Sequence, residues 1–147
     1  MIDRSFIGTR SEKRTVEVEK GQIGFFARTI GEENPIYFDE AAAQDAGYAA
    51  IPAPPTFGFS LKLLAPQKKG GIEDLGVDIG RVLHGEEILT YHAPIVAGDT
   101  ITLETVVSDI YDKKGGAMEF IVQDTTAHNQ NGVLVQESRT IIVVRNG

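Results

Sequence analysis

The chain has 147 residues, of which 41% are hydrophobic, and this is enough to build one core without metals or disulfides. It has no cysteine, which excludes a thiolate nucleophile and Cys-ligated zinc or iron–sulfur sites. The formal net charge is −7 and the basic residues are scattered, so nucleic acid is not expected as a partner. No apolar run is long enough to span a bilayer, and we expect a soluble, cytoplasmic protein with no membrane partner.

The first half of the chain predicts three helices that are separated by turns. After the short alternating segment "RTVEVEKG", apolar residues recur at helical spacing: Ile23, Phe26, Ala27 and Ile30. Gly31 ends this helix, and Asp39 is a suitable N-cap for a second one, "EAAAQDAG", which Gly47 stops. Pro54 and Pro55 suit the start of a third helix in "IPAPPTFGFSLKLLAPQ". Its nearly continuous apolar character is typical of a buried helix.

The second half predicts antiparallel strands after a glycine-rich loop, "KKGGIEDLGVDIG". The strands are "RVLHGEEILTYHAP", "DTITLETVVSDIYD", "AMEFIVQDTTAHN" and "VLVQESRTIIVVR", and the turns "DKKGG" and "NQNG" join the last three as hairpins. Alternation places four residues of the second strand on one face: Ile101, Leu103, Thr105 and Val107. The order of elements predicts an α+β fold, in which a sheet curves around one central apolar helix.

His84 and His92 both lie in the first of these predicted strands. They are an even number of residues apart, so we expect them to share a face. With no third ligand nearby in the sequence, no metal site is predicted there, and each histidine is expected to have a structural role.

Three motifs of this chain together resemble one known family. They are "GEENPIYFDEAAAQDAGY", with its Asn34-Pro35 turn, "IPAPPTF" before the apolar helix, and "LHGEEILTYHAPIVAGDTI", with its turn from Pro94 to Asp99. Over nearly the whole chain the sequence resembles the MaoC-like hydratases and dehydratases of the hot-dog fold. It is most similar to the subgroup called the N-terminal half of MaoC dehydratase, which includes the substrate-holding subunit of the mycobacterial hydroxyacyl-carrier-protein dehydratase. The resemblance implies a single MaoC-like hot-dog domain over residues 1–147, with an antiparallel sheet wrapped around one central buried helix.

The resemblance also implies a reaction of fatty acid metabolism. This reaction is the reversible addition or loss of water at a 2-enoyl or (3R)-hydroxyacyl thioester carried by coenzyme A or acyl carrier protein, with no cofactor and no metal. It needs an acid and a base for the protons, and donors for the charge on the thioester oxygen. The resemblance implies substrate contacts at the turn and at the start of the apolar helix, through Asn34, Pro55, Thr56 and Phe57. Thr56 is expected to cap that helix or to contact the thioester.

The catalytic positions of the family are changed in this chain. Its catalytic members carry an aspartate and, five positions on, a histidine around the Asn-Pro turn, and these positions fall on Glu32 and Tyr37. Glutamate keeps the carboxylate but moves it by a methylene, at a kind of site where an ångström matters. Tyrosine, with a reference pKa of about 10, is a poor proton shuttle near neutral pH, whereas histidine titrates at about 6.5. We expect Tyr37 to line the acyl pocket.

Three hypotheses follow from this change. In the first, the chain is the acyl-binding subunit of a heterodimer, and a paralogue with Asp and His performs the chemistry. In the second, it is an independent hydratase that uses Glu32 as base and Tyr37 as donor. In the third, it is a module that binds acyl thioesters without turnover. A thioesterase is disfavoured, because the only charged residue in "PPTFGFSLKLL" is Lys62 and not a carboxylate.

A sheet wrapped on one helix leaves an edge strand. Pairing with a second copy or with a paralogue would cover this edge, so we expect a dimer. The sequence leaves open whether it is a homodimer or a heterodimer with a catalytic hot-dog paralogue.

Overall fold

The computed structural model describes residues 1–66 and 71–146, with the backbone alone at Glu73. Five strands form one antiparallel sheet in the order β1-β3-β4-β5-β2. Their bounds are Arg14–Glu17 for β1, Val82–Tyr91 for β2, Thr100–Lys113 for β3, Met118–His128 for β4 and Leu134–Arg145 for β5. The helices are α1 (Lys20–Thr29), α2 (Glu40–Asp45) and α3 (Phe57–Leu64). The predicted α+β arrangement is therefore confirmed.

Short 3₁₀ turns lie at Arg4–Phe6, Pro35–Tyr37, Ile72–Leu75 and Ile79–Arg81. The last two occupy the second part of the predicted glycine-rich loop, while residues 67–70 lie outside the described part of the chain. Among the residues described, no helix has the length and apolar character needed to cross a bilayer.

The two predicted helices around the Asn-Pro turn are confirmed, together with their ends. In α1, Ile23 and Ala27 are fully buried. Gly31 has a φ of +76°, which lets the next N–H, that of Glu32, donate to the Ala27 carbonyl at 2.9 Å. Asp39 caps α2, since its Oδ1 accepts from the N–H of Ala42 at 2.8 Å. These caps fix the point at which the chain leaves one helix and enters the next.

Both predicted hairpins are also confirmed. Strands β3 and β4 pair from Thr102 opposite His128 to Lys113 opposite Met118. The turn between them contains three consecutive residues with positive φ, namely Lys114, Gly115 and Gly116. The turn between β4 and β5 is held by Asn129, whose Oδ1 accepts from the N–H groups of Asn131 and Val133.

The face of the sheet that packs on α3 carries two apolar clusters with polar residues between them. The first cluster joins Ile101 and Leu103 of β3 to Phe57 and Leu61 of α3. The second contains Val107, Ile110, Ile121 and Val144. Between the two clusters, the pairing of β3, β4 and β5 places four polar residues near one another: Thr105, Thr125, Ser138 and Thr140. The Oγ1 atoms of Thr105 and Thr125 are 2.8 Å apart.

The prediction that α3 is buried nearly all round is wrong for this chain. Phe57, Gly58 and Leu61 are buried, but Leu63 is 75% exposed and Leu64 is 43% exposed. The sheet covers only one side of the helix, and in the described residues the other side faces solvent. Leu63 and Leu64 therefore form an exposed apolar surface next to the buried side of the helix.

The prediction that His84 and His92 share a strand face is also wrong. Strand β2 ends at Tyr91, so His92 lies beyond it, and the register of β2 against β5 shifts between His84 and Glu86. The residue at the shift is Gly85, where a Cβ would lie 2.8 Å from Cγ2 of Val143 and 2.9 Å from the Ile141 carbonyl oxygen. Only glycine fits this β-bulge, and the extra residue inverts the alternation on which the prediction depended.

Candidate functional site

A largely apolar cavity of about 380 Å³ lies where the start of α3, the end of β2 and the Asn-Pro turn meet. Its walls include three tyrosines, four prolines and one buried amide: Tyr37, Tyr48, Tyr91, Pro52, Pro54, Pro55, Pro94 and Gln136. The hydroxyl of Tyr91 donates to the Pro55 carbonyl at 2.8 Å, which ties the end of β2 to the entry of α3. An apolar cavity with a few convergent polar groups is the usual form of a small-molecule site.

The turn from Pro94 to Asp99 forms another wall of this cavity. Asp99 is buried, with Oδ2 accepting from the Val96 N–H at 2.9 Å and Oδ1 accepting from Nε2 of Gln130 at 3.0 Å. The Ala53 N–H donates to the Ile95 carbonyl at 2.8 Å, so this turn is bonded to the segment that leads into α3. The carboxylate of Asp99 therefore has a structural role, because it holds the cavity wall in position.

Of the two predicted catalytic residues, Tyr37 lines the cavity and Glu32 is engaged in its own loop. Oε1 of Glu32 accepts from the N–H groups of Glu33 and Asn34, each at 3.1 Å. Asn34 in turn caps the 3₁₀ turn at Pro35–Tyr37, since its Oδ1 accepts from the Ile36 N–H at 3.2 Å. The two side chains thus shape the turn that carries Tyr37 to the cavity.

The pKa of Tyr37 is raised above its ordinary value. Burial is the largest cause, and the negative charge of Glu32 and the neighbouring Tyr48 add to it. The hydroxyl therefore stays protonated at neutral pH and can act as a hydrogen-bond donor. Proton exchange near pH 7 is disfavoured further than for a free tyrosine.

The residues predicted at the start of α3 lie in three different environments. Pro55 lines the cavity, Thr56 is exposed, and Phe57 is 1% exposed in the first apolar cluster, with its ring 5.4 Å from that of Phe26. Thr56 stands at the N-cap position but its side chain makes no capping bond, so the capping prediction is wrong. The N–H of Phe57 donates to the Pro54 carbonyl at 2.9 Å. Contact of Asn34, Pro55, Thr56 and Phe57 with substrate stays a prediction.

His92 is a cavity residue whose position the sequence did not indicate. It lines the cavity wall, and its Nε2 lies 2.7 Å from Oε2 of Glu137. Among the described residues, no group of three or more His, Asp or Glu side chains is arranged to bind a metal ion. The arrangement is a histidine–carboxylate pair in a cavity that also holds Tyr37.

Gln136 is a second residue that the sequence did not indicate. It is 4% exposed and lines the cavity from β5, at a position that faces α3. The helix approaches it closely at Gly58, where a Cβ would clash with the amide group, 2.5 Å from Nε2 and 2.6 Å from Cδ. Glycine at this position lets α3 rest directly on β5.

We expect Gly58→Ala to lower the free energy of unfolding by about 1–3 kcal/mol, because the new methyl group forces the buried Gln136 amide toward the cavity. Gly21→Ala is the matched control, since it lies in α1 with no atom within 4 Å of the added Cβ, and it should be neutral or stabilising. Chemical denaturation measures both. Adding Gln136→Ala to Gly58→Ala should recover part of the loss, and a Gly58→Ala variant as stable as the native chain would contradict the packing described.

A family model described as "FAS1-like, dehydratase domain region" matches residues 5–138. A UPF0336 protein of Streptomyces griseus is 34% identical over 145 residues, which cover 98% of this chain and 95% of the relative. The UPF0336 protein of Thermobifida fusca is also 34% identical over 145 residues, with 98% and 94% covered.

The fold is similar to that of solved dehydratases. One is a chain of the C-terminally truncated HadBC (3R-hydroxyacyl-ACP dehydratase) complex of Mycobacterium tuberculosis, with a TM-score of 0.74, 26% identity, and 94% of this chain and 96% of that chain covered. Another is a MaoC-like dehydratase, with a TM-score of 0.84, 25% identity, and coverage of 96% and 42%. The family match and the fold agree, and the chain belongs to the FAS1-like dehydratase-region family, with the hot-dog fold of the MaoC-like hydratases and dehydratases.

Proposed function

We propose that this chain is the acyl-binding subunit of a (3R)-hydroxyacyl-thioester dehydratase or enoyl-CoA hydratase, and that a hot-dog paralogue with Asp and His completes the enzyme. The observation that carries the proposal is the position of Tyr37. It replaces the family histidine, lines the apolar cavity, and has a pKa raised by burial. The site thus keeps a place for an acyl thioester while it lacks the usual proton-transfer group. In this proposal residues 1–147 are a single domain that acts in cytoplasmic fatty acid metabolism.

The cavity suits the acyl part of a thioester. Its walls are mostly apolar, and Gln136 and the tyrosine hydroxyls supply donors for a carbonyl oxygen. A carrier such as coenzyme A or acyl carrier protein would remain outside, because the cavity of about 380 Å³ accommodates only a small group.

The uncovered surfaces support a dimer. Within the part of the chain that the structure describes, β2 has a neighbouring strand on one side only, and it carries the exposed residues Leu83, Ile88 and Tyr91. Leu63 and Leu64 of α3 are exposed as well. A partner strand added along β2 would satisfy its main-chain groups and bury this apolar surface. The HadBC chain to which this chain is similar is part of a complex, which supports the same assignment.

Catalysis by this chain alone is the second candidate, and His92 is the observation that favours it. The imidazole of His92, held by Glu137 at 2.7 Å, would supply a proton-transfer group in the same cavity as Tyr37. Glu32 is a weaker base candidate, because its carboxylate already accepts two N–H groups of its own loop.

Hydration of crotonyl-CoA, followed by loss of the enoyl absorbance, separates these functions. We expect no turnover by the purified chain and turnover when it is mixed with a paralogue that carries Asp and His. Enzyme-like turnover by the chain alone would contradict the subunit assignment. In that case Glu32→Gln, which keeps an acceptor oxygen, and His92→Asn would identify the base, with the exposed Glu33→Gln as the matched control. If the chain binds the thioester but no mixture shows turnover, the result would support the hypothesis that the chain is a binding module without catalytic activity.

A further inference from the structure

A buried ion pair lies beneath α3, one helical turn beyond the contact of Gly58 with Gln136. Nζ of Lys62 is 2.5 Å from Oε1 of Glu87, and the two side chains are only 14% and 15% exposed. On β5 the inward-facing positions run from Gln136 through Ser138 to Thr140, and Glu87 is directly opposite Thr140 in the register of β2 with β5. Along the interface between α3 and the sheet, the ion pair therefore lies one position farther from the Tyr37 cavity than the contact of Gly58 with Gln136.

The polar groups of this pair are saturated with partners. Nζ of Lys62 also donates to Oγ1 of Thr140 at 2.8 Å and to Oγ of Ser138 at 3.3 Å. The second oxygen of Glu87, Oε2, accepts from Oγ1 of Thr140 at 2.6 Å. The ammonium group lies 4.8 Å from the centre of the Phe59 ring. Because each group holds the next, the cluster has no loose member that an entering ligand could displace without breaking a bond.

A second cavity, of about 260 Å³, lies on the other side of this ion pair. Its wall combines polar and apolar side chains. Lys62, Thr140, Arg14 and His84 are among the polar ones, and Phe59, Leu63, Leu83 and Ile142 are among the apolar ones. A long alkyl chain that followed the helix–sheet interface from the Tyr37 cavity would first have to displace Gln136 from its contact with Gly58. Beyond that point it would reach the second cavity only by passing Lys62 and Glu87. It would then have to separate two buried opposite charges and leave them without replacement partners.

We infer that the Lys62–Glu87 ion pair is a specificity-determining barrier that restricts the acyl site of this chain to short acyl groups. The inference rests on the proposed function and names its substrate class. The barrier acts through polarity, since methylene groups cannot replace the hydrogen bonds that the cluster would lose.

The first test measures how the affinity of the native chain for acyl-CoA thioesters depends on the length of the acyl group. It needs no variant. Each methylene that enters an apolar site normally tightens binding about fourfold. Calorimetry measures the affinity for butyryl-, octanoyl- and dodecanoyl-CoA. Coenzyme A alone is the reference for the contribution of the carrier. We expect butyryl-CoA to bind more tightly than coenzyme A, and the two longer thioesters to bind no more tightly than butyryl-CoA.

The double variant Lys62→Met with Glu87→Leu removes both charges and keeps flexible apolar side chains of similar size. We expect it to bind dodecanoyl-CoA at least about tenfold more tightly than the native chain does, with little change for butyryl-CoA. The matched control is Lys20→Met with Glu40→Leu, which removes an exposed ion pair between α1 and α2 and should leave the dependence of affinity on acyl length unchanged.

The outcomes separate this inference from the proposed function. Native affinity that rises steadily from butyryl- to dodecanoyl-CoA overturns the barrier and leaves the acyl-binding function intact. A folded double variant with the native dependence of affinity on acyl length also overturns the barrier. If no thioester binds more tightly than coenzyme A, either to the native chain or to the variant, both the proposed function and the inference are overturned.

Discussion

Replacing Glu32 with Asp and Tyr37 with His is expected to let the purified chain hydrate crotonyl-CoA at least about 100-fold faster than the uncatalysed reaction. The histidine would enter the cavity at the position of Tyr37, where a group that titrates near pH 6.5 can exchange protons at neutral pH. The aspartate shortens a side chain whose carboxylate now accepts from Glu33 and Asn34. The rate of enoyl loss at saturating substrate measures the effect, and it should fall below about pH 6 as the histidine becomes protonated.

Two controls accompany this experiment. Tyr37→Phe removes the hydroxyl and keeps the ring in the cavity, so it should give no gain. Glu32→Asp alone should also give no gain, because no group that titrates near neutral pH is added at position 37. A folded double variant that binds the thioester but is no faster than the native chain would mean that the donors at the start of α3 are misplaced for catalysis.

Glu87→Ala is expected to be strongly destabilising. It leaves the Lys62 ammonium buried without its counter-charge, and breaking a buried pair by removing one partner costs at least about 3 kcal/mol. Burial already lowers the pKa of Lys62, and Glu87 opposes that effect, so the variant also favours the neutral amine. Thermal denaturation should show a Tm lower by roughly 6–12 °C for a loss of this size.

The matched comparison is Glu40→Ala, which removes the partner of Lys20 at the protein surface. Those two side chains are 60% and 66% exposed, so solvent screens the pair and Glu40→Ala should leave the Tm nearly unchanged. The apolar double replacement Lys62→Met with Glu87→Leu should be close to the native chain, because it leaves no unpaired charge. A Tm for Glu87→Ala that equals that of Glu40→Ala would contradict a buried, structural ion pair.

The sequence predicts local structure well where a single residue determines it. Gly31 and Asp39 mark the end of α1 and the start of α2 through bonds within a few residues, and the positive φ of Gly115 and Gly116 shapes the β3–β4 turn. The inward face of β3 is also predicted, because Ile101 and Leu103 alternate with more polar neighbours. These signals are short-range, so tertiary contacts have little opportunity to change them.

The sequence fails where long-range packing reverses a pattern. Gln136 and Ser138 point toward α3, although polar residues on an alternating strand normally indicate the solvent face. Ser138 faces inward because its hydroxyl accepts from Lys62, and the Gln136 amide packs against Gly58. Both partners lie on α3, which is distant in sequence and reaches them only through its packing on β5. Similarly, the bulge at Gly85 follows from the side chain of Val143 and the backbone of Ile141, which no local pattern reveals.

The candidate site was predicted in part. Its turn was identified from the Asn-Pro motif, and Tyr37 and Pro55 do line the cavity. The cavity is closed by His92 and Gln136, whose spacing carries no recognisable motif because they come from a loop beyond β2 and from β5. Whether Glu32 and Tyr37 take part in chemistry stays a prediction for the experiments above.

The uncovered side of α3 and the outer edge of β2 also bear on how such a chain is produced in a cell. Until a partner binds, exposed leucines and unpaired main-chain groups are available for edge-to-edge aggregation. The bulge at Gly85 and the exposed charge of Glu86 interrupt that edge, which protects the newly made chain. For the heterodimer proposed above, we expect the soluble yield of this chain to rise when it is synthesised together with its partner.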